Sequence, residues 1–508
     1  MARVSGNGYY AENNSEHIIG TSSDERFYQE YYSDLILEGG LGDDRYFLSN
    51  LFHNTITINE NVNEGIDEII SAYGINLDHY PNIENFFLRG NNLGSISPHQ
   101  DIYGSSLDNI LQGNYGNNII DGRSGDDTLI GGTGNDTYVV DSTGDTVTEN
   151  SKEGIDTVQS STISLDASNY LNVENFTLTG SRDLNLTADL NSIYVNANHD
   201  VGSTILTGND GSNTFTVKGS TFTLIGGAGD DTYIVNNTSP TITENINEGT
   251  DTVISSSSFI LPDNVENLTL TGGSPPWAGS PYSPSINGTG NDLDNILIGN
   301  YNTNVLTGGL GDDHYIFYNK YDSAVEYAGG GNDTIETYFS INLNDPSYQH
   351  IENIILQAGN IYGGANYSAT GNGLDNIIEN KGSTNKLYGY DGNDILIKKN
   401  LNDHAEGGDG IDTVKSPYGF SLGETNEIGY LLGSVGGYIN GYSSLASNVT
   451  LHGSSGGNYL YKTKPGNIYG YAGDDVLYGG STMYGGLGDD LYISSSNSPN
   501  IVENSGEG

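Results

Sequence analysis

The strongest constraint on this chain is a nine-residue unit, rich in glycine and aspartate, that recurs in phase. Residues 121–141 read "DGRSGDDTLIGGTGNDTYVVD" and contain two such units in direct succession, starting at Gly122 and Gly131. Glycine reaches backbone angles closed to other residues, so the first six positions of each unit predict a tight turn. The last three positions predict a short strand whose eighth residue, such as Leu129 or Tyr138, faces a core.

The same unit occurs throughout the chain. Further frames start at Gly39, Gly104, Gly113, Gly226, Gly308, Gly389, Gly407, Gly470 and Gly485. A period of nine is too short for sandwich strands with hairpin crossovers, and no window shows apolar residues at helical spacing. The sequence therefore predicts an all-β fold, a parallel β-solenoid with almost no helix.

A longer repeat of roughly 80 to 95 residues surrounds the nonapeptides. "TENSKEGIDTVQSS" from Thr148 returns as "TENINEGTDTVISS" from Thr243, and each leads into a closing strand. We predict a degenerate N-terminal cap at 1–33 and six repeats, at 34–100, 101–190, 191–285, 286–360, 361–450 (degenerate in its second half) and 451–508 (truncated). Because the last copy stops at "VENSGEG", we expect either a longer protein or an open edge that the next subunit completes, giving a head-to-tail filament.

The charge of the chain excludes several classes of function. It carries 65 Asp and Glu against 16 Lys and Arg, a formal net charge of −49, and a polyanion repels nucleic acid. There is no cysteine for disulfide or thiol chemistry, and no apolar run approaches the roughly 18 to 20 residues that cross a bilayer. Low hydrophobicity with high charge also marks disordered chains, but here the glycines and apolar residues are in register.

Aspartate at the sixth position of the unit indicates a cation site. Its carboxylate would join backbone carbonyls in a glycine-rich turn, and such an all-oxygen set suits Ca²⁺ better than Mg²⁺. The alternative is that the aspartate merely closes an Asx-turn. Two stacked carboxylates about 4 Å apart repel by about 4 kcal/mol at an effective dielectric of 20, which favours the cation.

The units resemble the RTX, or haemolysin-type calcium-binding, nonapeptide repeat from about Leu35 to the end of the chain. The resemblance implies a parallel β-roll in which two units form one coil. Units 18 residues apart would then stack on the same edge and hold an ion between them. The earlier unit would give two carbonyls and its aspartate, and the later unit two carbonyls and its own aspartate.

The ion sites implied by the resemblance differ in charge. Asp394 and Asp412 lie in two intact frames and form the best candidate, together with the carbonyls of Tyr390, Gly392, Gly407 and Asp409. Four aspartates pair instead with an uncharged amide, which predicts weaker sites: Asp127 with Asn109, Asp136 with Asn118, Asp231 with Asn213, and Asp313 with Asn295. The remaining candidate ligands are Asn376, Asp44, which lacks a good preceding frame, and Asp475 and Asp490, whose frames are only 15 residues apart.

Two further patterns leave alternatives open. The E-G-x-D-T-V segments, with Glu153 and Asp156 or Glu248 and Asp251, predict either a second class of ion site or, as we favour, turns with Glu in solvent and Val inside. The tyrosines in the loops are either scattered surface residues or a row that adheres to a sugar or a protein surface.

The expected function follows from the resemblance and the charge. The family implies export by a type I route, whose signal is C-terminal, and the N-terminus lacks the apolar region of a secretory signal. We expect an extracellular or cell-surface structural protein, of surface-layer, fibril or adhesin type, that binds several Ca²⁺ ions and associates with copies of itself. A surface polysaccharide is a further expected partner, whereas enzymatic activity and membrane insertion are not expected. The alternative is a carbohydrate-binding or enzyme-associated module of a larger secreted protein.

Overall fold

A computed structural model gives the fold of this protein. It describes residues 3–5, 8–11, 16–29, 35–48, 56–89, 100–182, 184–189, 204–218, 222–236, 240–273, 285–357, 366–434, 436–441, 448–463, 465–494 and 499–503. The chain forms two compact units, Met1–Thr252 and Val253–Gly508. The predicted repeat boundaries at 33/34, 190/191 and 360/361 lie outside the described residues.

The first unit is built from short strands arranged in several sheets. One sheet has the strand order Arg3–Ser5, Gly8–Ala11, Arg26–Gln29, Arg45–Leu48, Glu68–Ser71, Asn85–Leu88, Ile110–Gln112, Thr128–Ile130, Thr146–Thr148. A second has the order Ile102–Tyr103, Ile119–Asp121, Thr137–Val139, Thr157–Ser160, Asn175–Leu178, Thr204–Thr207, Phe222–Ile225, Thr241–Thr243. Two more groups run Glu16–Ile19, Leu35–Glu38, Ile56–Asn59 and Leu165–Asp166, Asn185–Asp189, Thr214–Lys218, Thr232–Val235.

The second unit repeats this arrangement. Its longest sheet has the order Asn267–Leu270, Ile296–Ile298, His314–Phe317, Thr334–Thr337, Asn353–Leu356, Ile377–Asn380, Ile395–Ile397, Thr413–Ser416, Ile428–Leu431, Thr450–His452, Asn467–Ala472, Thr482–Leu487, Asn500–Val502. Three shorter sheets run Phe259–Ile260, Gly288–Thr289, Val305–Thr307, Ser323–Val325; Ile341–Asn342, Ser368–Thr370, Lys386–Asp391, His404–Asp409; and Phe420–Ser421, Tyr438–Gly441, Tyr459–Lys462, Val476–Tyr478, Leu491–Ile493. Strand Thr252–Ser255 spans the sequence boundary between the units.

Strands of successive coils pair in parallel within each unit, and only the first two described strands, Arg3–Ser5 and Gly8–Ala11, pair antiparallel. Ile120 pairs with Tyr138, and Tyr138 pairs in turn with Val158. The helical elements among the described residues are three short 3-10 turns, at Leu77–His79, Ala167–Asn169 and Pro346–Tyr348. The prediction of a parallel, almost helix-free β-solenoid is therefore confirmed.

The eighth residue of almost every nonapeptide lies in the core. Leu129 and Tyr138 are completely buried, whereas the strand residues on either side of them are only half-buried. Burying one such side chain stabilises the fold by about 1.5–3 kcal/mol. Since a shift by one residue would turn every core side chain outward, this alternation fixes the register between coils.

Aromatic side chains also stack from coil to coil on the outer surface. The ring of His452 lies between those of Tyr430 and Tyr469, with centroid distances of 4.0 and 4.8 Å, and Tyr484 continues the row at 4.7 Å from Tyr469. Because each ring face is covered by the next ring, the row offers few free faces to a sugar. Its contacts support the register of the coils.

Leu396→Ala should lower the free energy of unfolding by about 2–5 kcal/mol, because the rigid stack of coils cannot close the cavity that the substitution leaves. The control is Ile377→Ala, in a neighbouring strand of the same sheet, where the side chain is 41% exposed. Urea unfolding in calcium, followed by circular dichroism, measures both variants. Equal losses would contradict the assignment of the core.

Candidate cation sites

The sixth-position side chains of successive coils form hydrogen-bonded columns along the edges of the solenoid. The backbone N–H of Asn118 donates to Asp136 Oδ1 at 2.6 Å, and the N–H of Asp136 donates to Asp156 Oδ1 at 2.8 Å. The backbone N–H of Asp156 donates in turn to Glu174 Oε2 at 2.8 Å. We call such a series an acid column. Each carboxylate in it fixes the position of the preceding coil.

The same pattern recurs along both units. The acid columns consist of Glu25, Asp44, Asp67 and Glu84; Asn109, Asp127 and Asp145; Asn118, Asp136, Asp156 and Glu174; Asn213, Asp231 and Asp251; Asn295, Asp313, Asp333 and Glu352; Asn376, Asp394, Asp412 and Glu427; and Asn458, Asp475 and Asp490. Four of these columns end on a glutamate that directly precedes a strand. The structure thus brings every predicted site residue into a column.

The second carboxylate oxygen of most column aspartates is buried and has no hydrogen-bond partner among the described residues. This holds for the Oδ2 atoms of Asp44, Asp127, Asp136, Asp231, Asp313, Asp333, Asp394, Asp412, Asp475 and Asp490. An unsatisfied buried polar group costs about 1–3 kcal/mol, and an unpaired charge costs more. One oxygen of each carboxylate therefore holds the backbone, and the other requires a cation or a proton.

Burial of these groups also shifts their ionisation. It raises the pKa of both Asp394 and Asp127 to about 7, and a neighbouring aspartate of the same column adds to the shift in each case. The backbone N–H that each carboxylate accepts opposes the shift, since it favours the charged form. A bound cation would favour the charged form far more strongly.

The turn that precedes each aspartate is shaped by left-handed residues at its second and fourth positions. In the frame of Asp394 these are Tyr390, with φ of 88°, and Gly392, with φ of 122°. A Cβ added at Gly389 would collide with Asp394 Oδ2, and one added at Gly408 with the carbonyl oxygen of Tyr390. The glycines therefore keep open a cradle lined by carboxylate and carbonyl oxygens, which is the donor set that suits Ca²⁺.

Asp394 and Asp412 lie one above the other in this setting, as the sequence predicts. The N–H of Asp394 donates to Asp412 Oδ1 at 2.9 Å, and both side chains are fully buried. A cation between the two coils would be held by their free Oδ2 atoms and by the carbonyls of Tyr390 and Gly407. The Asp409 carbonyl, a further predicted ligand, accepts the N–H of Gly392 at 2.9 Å.

The asparagines at the start of each column make different contacts. Asn118 accepts the backbone N–H of Asn114 through Oδ1 at 2.9 Å and donates from Nδ2 to the carbonyl of Gln100 at 3.0 Å. Asn109, Asn213, Asn295 and Asn376 make the same two kinds of contact. Both amide atoms thus satisfy backbone groups, as in an Asx-turn. Their role as metal ligands stays a prediction.

Two positions that were uncertain from the sequence are placed by the structure. Asp475 donates its N–H to Asp490 Oδ1 at 2.8 Å, so the two frames stack although they are only 15 residues apart. Asp44 Oδ1 accepts the N–H of Glu25 at 2.7 Å, so its preceding frame is the turn Gly20–Glu25.

The sequence interpretation missed one set of residues. Four buried clusters each join a column aspartate to a glutamate and to the aspartate of an E-G-x-D or G-G-x-D turn, with their oxygens within 4.8 Å of one another. We call them acid triads: Asp44, Glu60 and Asp67; Asp136, Glu149 and Asp156; Asp231, Glu244 and Asp251; and Asp313, Glu326 and Asp333. The signal available in the sequence is a tyrosine two residues after the first aspartate and a glutamate seven before the last.

The E-G-x-D segments form turns, as favoured from the sequence, but their glutamate is half-buried instead of lying in solvent. Glu153 is half-buried and accepts the N–H of Asn150 through Oε2 at 3.0 Å, and Val158 is buried, as expected for a turn. Asp156, however, points into an acid triad. The turn therefore places the Asp156 carboxylate in the acid triad of Asp136 and Glu149.

Comparison with known proteins agrees with this geometry. The family description RTX calcium-binding nonapeptide repeat matches in four copies, over residues 103–138, 289–317 and 467–482. The chain thus carries RTX calcium-binding nonapeptide repeats in these segments, which confirms the predicted resemblance. Among the residues described, no helix has the length and apolarity required to cross a membrane.

A curated relative shares part of the chain. Endo-1,3-1,4-beta-glycanase ExsH of Rhizobium meliloti (strain 1021) is 36% identical over 123 residues. The match covers 24% of this chain and 24% of the glycanase, so the likeness concerns a quarter of each protein.

Calcium-free protein should become more stable as the pH falls from 8 to 5. The pKa values of Asp394 and Asp127 are about 7 in the fold, above the ordinary aspartate value, so the folded state binds more protons than the unfolded chain in this range. The folded fraction of calcium-free protein at pH 5, 6, 7 and 8, followed by far-ultraviolet circular dichroism, measures the trend. A folded fraction that rises with pH would contradict it, and saturating calcium should reduce the trend.

Proposed function

We propose that this chain is a calcium-dependent extracellular structural protein, of surface-layer, fibril or adhesin type, whose solenoid folds when Ca²⁺ fills the acid columns. The observation that carries the proposal is the series of buried Oδ2 atoms, on aspartates of successive coils, that have no hydrogen-bond partner among the described residues. RTX repeats bind calcium, and a stack of carboxylates without cations would be unfavourable. The long repeats predicted from the sequence would be the folding blocks.

Calcium supplies the free energy for folding in this proposal. An ion that binds only the folded chain at ten times its dissociation constant adds about 1.4 kcal/mol for each site. With a formal net charge of −49, the chain repels itself when no calcium is present. This fits a protein that is exported unfolded from a calcium-poor compartment and folds outside, and RTX proteins are typically secreted.

Self-association is part of the proposal. Parallel solenoid strands leave unpaired backbone groups at an open end, and a second copy can pair with them. Closed contacts would give a lattice or a small oligomer, whereas head-to-tail contacts would give a filament. The proposal also includes a surface polysaccharide as a further partner.

A second candidate is a carbohydrate-associated module of a larger secreted enzyme. The partial likeness to the glycanase of Rhizobium meliloti favours it, since the matched segment there belongs to an endo-1,3-1,4-beta-glycanase. The test is retention of the chain on mixed-linkage 1,3-1,4-β-glucan with and without calcium. Calcium-dependent retention would favour this candidate, and a lack of retention would favour the structural role.

At pH 8, where the column carboxylates are ionised, removing calcium should abolish the β-sheet signal in far-ultraviolet circular dichroism, and adding it back should restore the signal. The physical reason is the repulsion among the buried carboxylates of the acid columns. A spectrum unchanged by chelator would overturn the proposal. Electron microscopy of the same samples then distinguishes lattice, filament and monomer.

Asp394→Asn and Asp412→Asn together should weaken calcium binding at one site by at least about tenfold, because each substitution removes a ligand charge. Asparagine fits this position, since Asn376 occupies it one coil earlier. The control is Asp391→Asn in the same turn, where the side chain is exposed. Isothermal titration calorimetry measures the three proteins, and equal affinities would exclude this site.

A further inference from the structure

We propose that the acid triads form a second class of cation site, which binds Ca²⁺ more tightly than the two-carboxylate sites of the acid columns. The inference rests on the proposed calcium-dependent folding and deepens it. Each triad lies where a nonapeptide turn is followed, one coil later, by a longer acidic loop. The nonapeptide pattern alone does not predict a site where a nonapeptide turn and a longer acidic loop meet.

The triad of Asp136, Glu149 and Asp156 shows the arrangement. All three residues are buried, with exposed fractions of 1%, 7% and 1%, and their oxygens lie within 4.8 Å of one another. Asp136 Oδ2 and Glu149 Oε2 have no hydrogen-bond partner in the part of the chain that the structure describes. Two free oxygens of deeply buried side chains therefore point into one cluster.

The loop that carries Glu149 holds it in place from three sides. Lys152, three residues later, has a left-handed φ of 75°, which turns the chain back. Glu153 accepts the N–H of Asn150, and Asn172 in the next coil donates from Nδ2 to the Glu149 carbonyl at 2.9 Å. Equivalent left-handed residues occur in the other triad loops: Asn63, Asn247 and Gly329. In the folded chain the glutamate is therefore held by its own loop and by the next coil.

A tyrosine orients the glutamate. The hydroxyl of Tyr138 donates to Glu149 Oε1, so that Oε2 is left for the cluster. Tyr46, Tyr233 and Tyr315 make the same contact in the other triads. In frames that are not followed by such a glutamate, the same core position holds an aliphatic residue, as at Leu129, Leu396 and Val414. The tyrosine thus accompanies the glutamate, and not the nonapeptide as such.

The charge of a triad explains its expected affinity. Three carboxylates this close cannot all ionise without a counter-charge, and each has its pKa raised, mainly by burial. A hard cation with oxygen ligands satisfies all three, and calcium affinity rises with the number of ligand charges. Column sites offer two carboxylates at most. The triads should accordingly fill first as calcium increases.

The test compares two triple variants of the full chain. In the first, Glu60→Gln, Glu149→Gln and Glu244→Gln remove one charge from three triads, while glutamine keeps the volume and an acceptor for tyrosine. In the matched control, Asp210→Asn, Asp263→Asn and Asp292→Asn remove three charges from exposed side chains outside the acid triads. Equilibrium dialysis followed by elemental analysis counts the bound calcium at a series of free concentrations.

We expect the triad variant to lose three ions from the tightest class, with affinities at those sites at least tenfold weaker, and the control to match the wild type. If the triad variant does not fold at saturating calcium, the single variant Glu149→Gln should lose one ion. An unchanged number of bound calcium ions with unchanged affinity in the triad variant would overturn the inference and leave the proposed function intact. Protons would then neutralise the triad carboxylates. If the wild type binds no calcium, the proposed function fails together with it.

Discussion

The structure depends on the two different roles of the oxygens in each column carboxylate. In each column aspartate, one oxygen accepts the backbone N–H of the preceding coil, and in most the other is buried and faces its neighbours along the edge. The first contact fixes the distance and register of the coils. Because the second oxygen is buried without a partner among the described residues, the stacking of the coils is unfavourable until a positive charge is present. Stacking and cation binding are therefore coupled at the level of a single side chain.

The solenoid has little else to hold it together. Each strand contributes only one or two core residues, such as Leu129 or Tyr138, and each coil contacts only its neighbours. In such an array the stability is a sum over pairs of adjacent coils. Repulsion between two stacked carboxylates therefore destabilises directly the two coils that carry them. The columns that end on Glu84, Glu174, Glu352 and Glu427 let a long repeat finish without a further nonapeptide.

Much of this could be predicted from the sequence because the information is local. A glycine turn of six residues followed by three strand residues specifies a coil, and the spacing of Asp394 and Asp412 specifies that they stack. The stacking of Asp475 on Asp490 could not be predicted with the same ease. There the opposite side of the coil is three residues shorter, and parallel pairing of Val476 with Leu491 still holds the register.

The acid triads were missed because their members are joined only through the fold. Glu149 is 13 residues from Asp136 in the sequence, in a segment that looks like an ordinary turn. It reaches the cluster because the next coil places its loop beside the first glycine turn and because Tyr138 fixes one of its oxygens. The sequence by itself determined the coil, its core and the sixth-position carboxylates, since these follow from a nine-residue pattern. Only the tertiary structure decided which carboxylates meet, because that depends on how loops of unequal length stack.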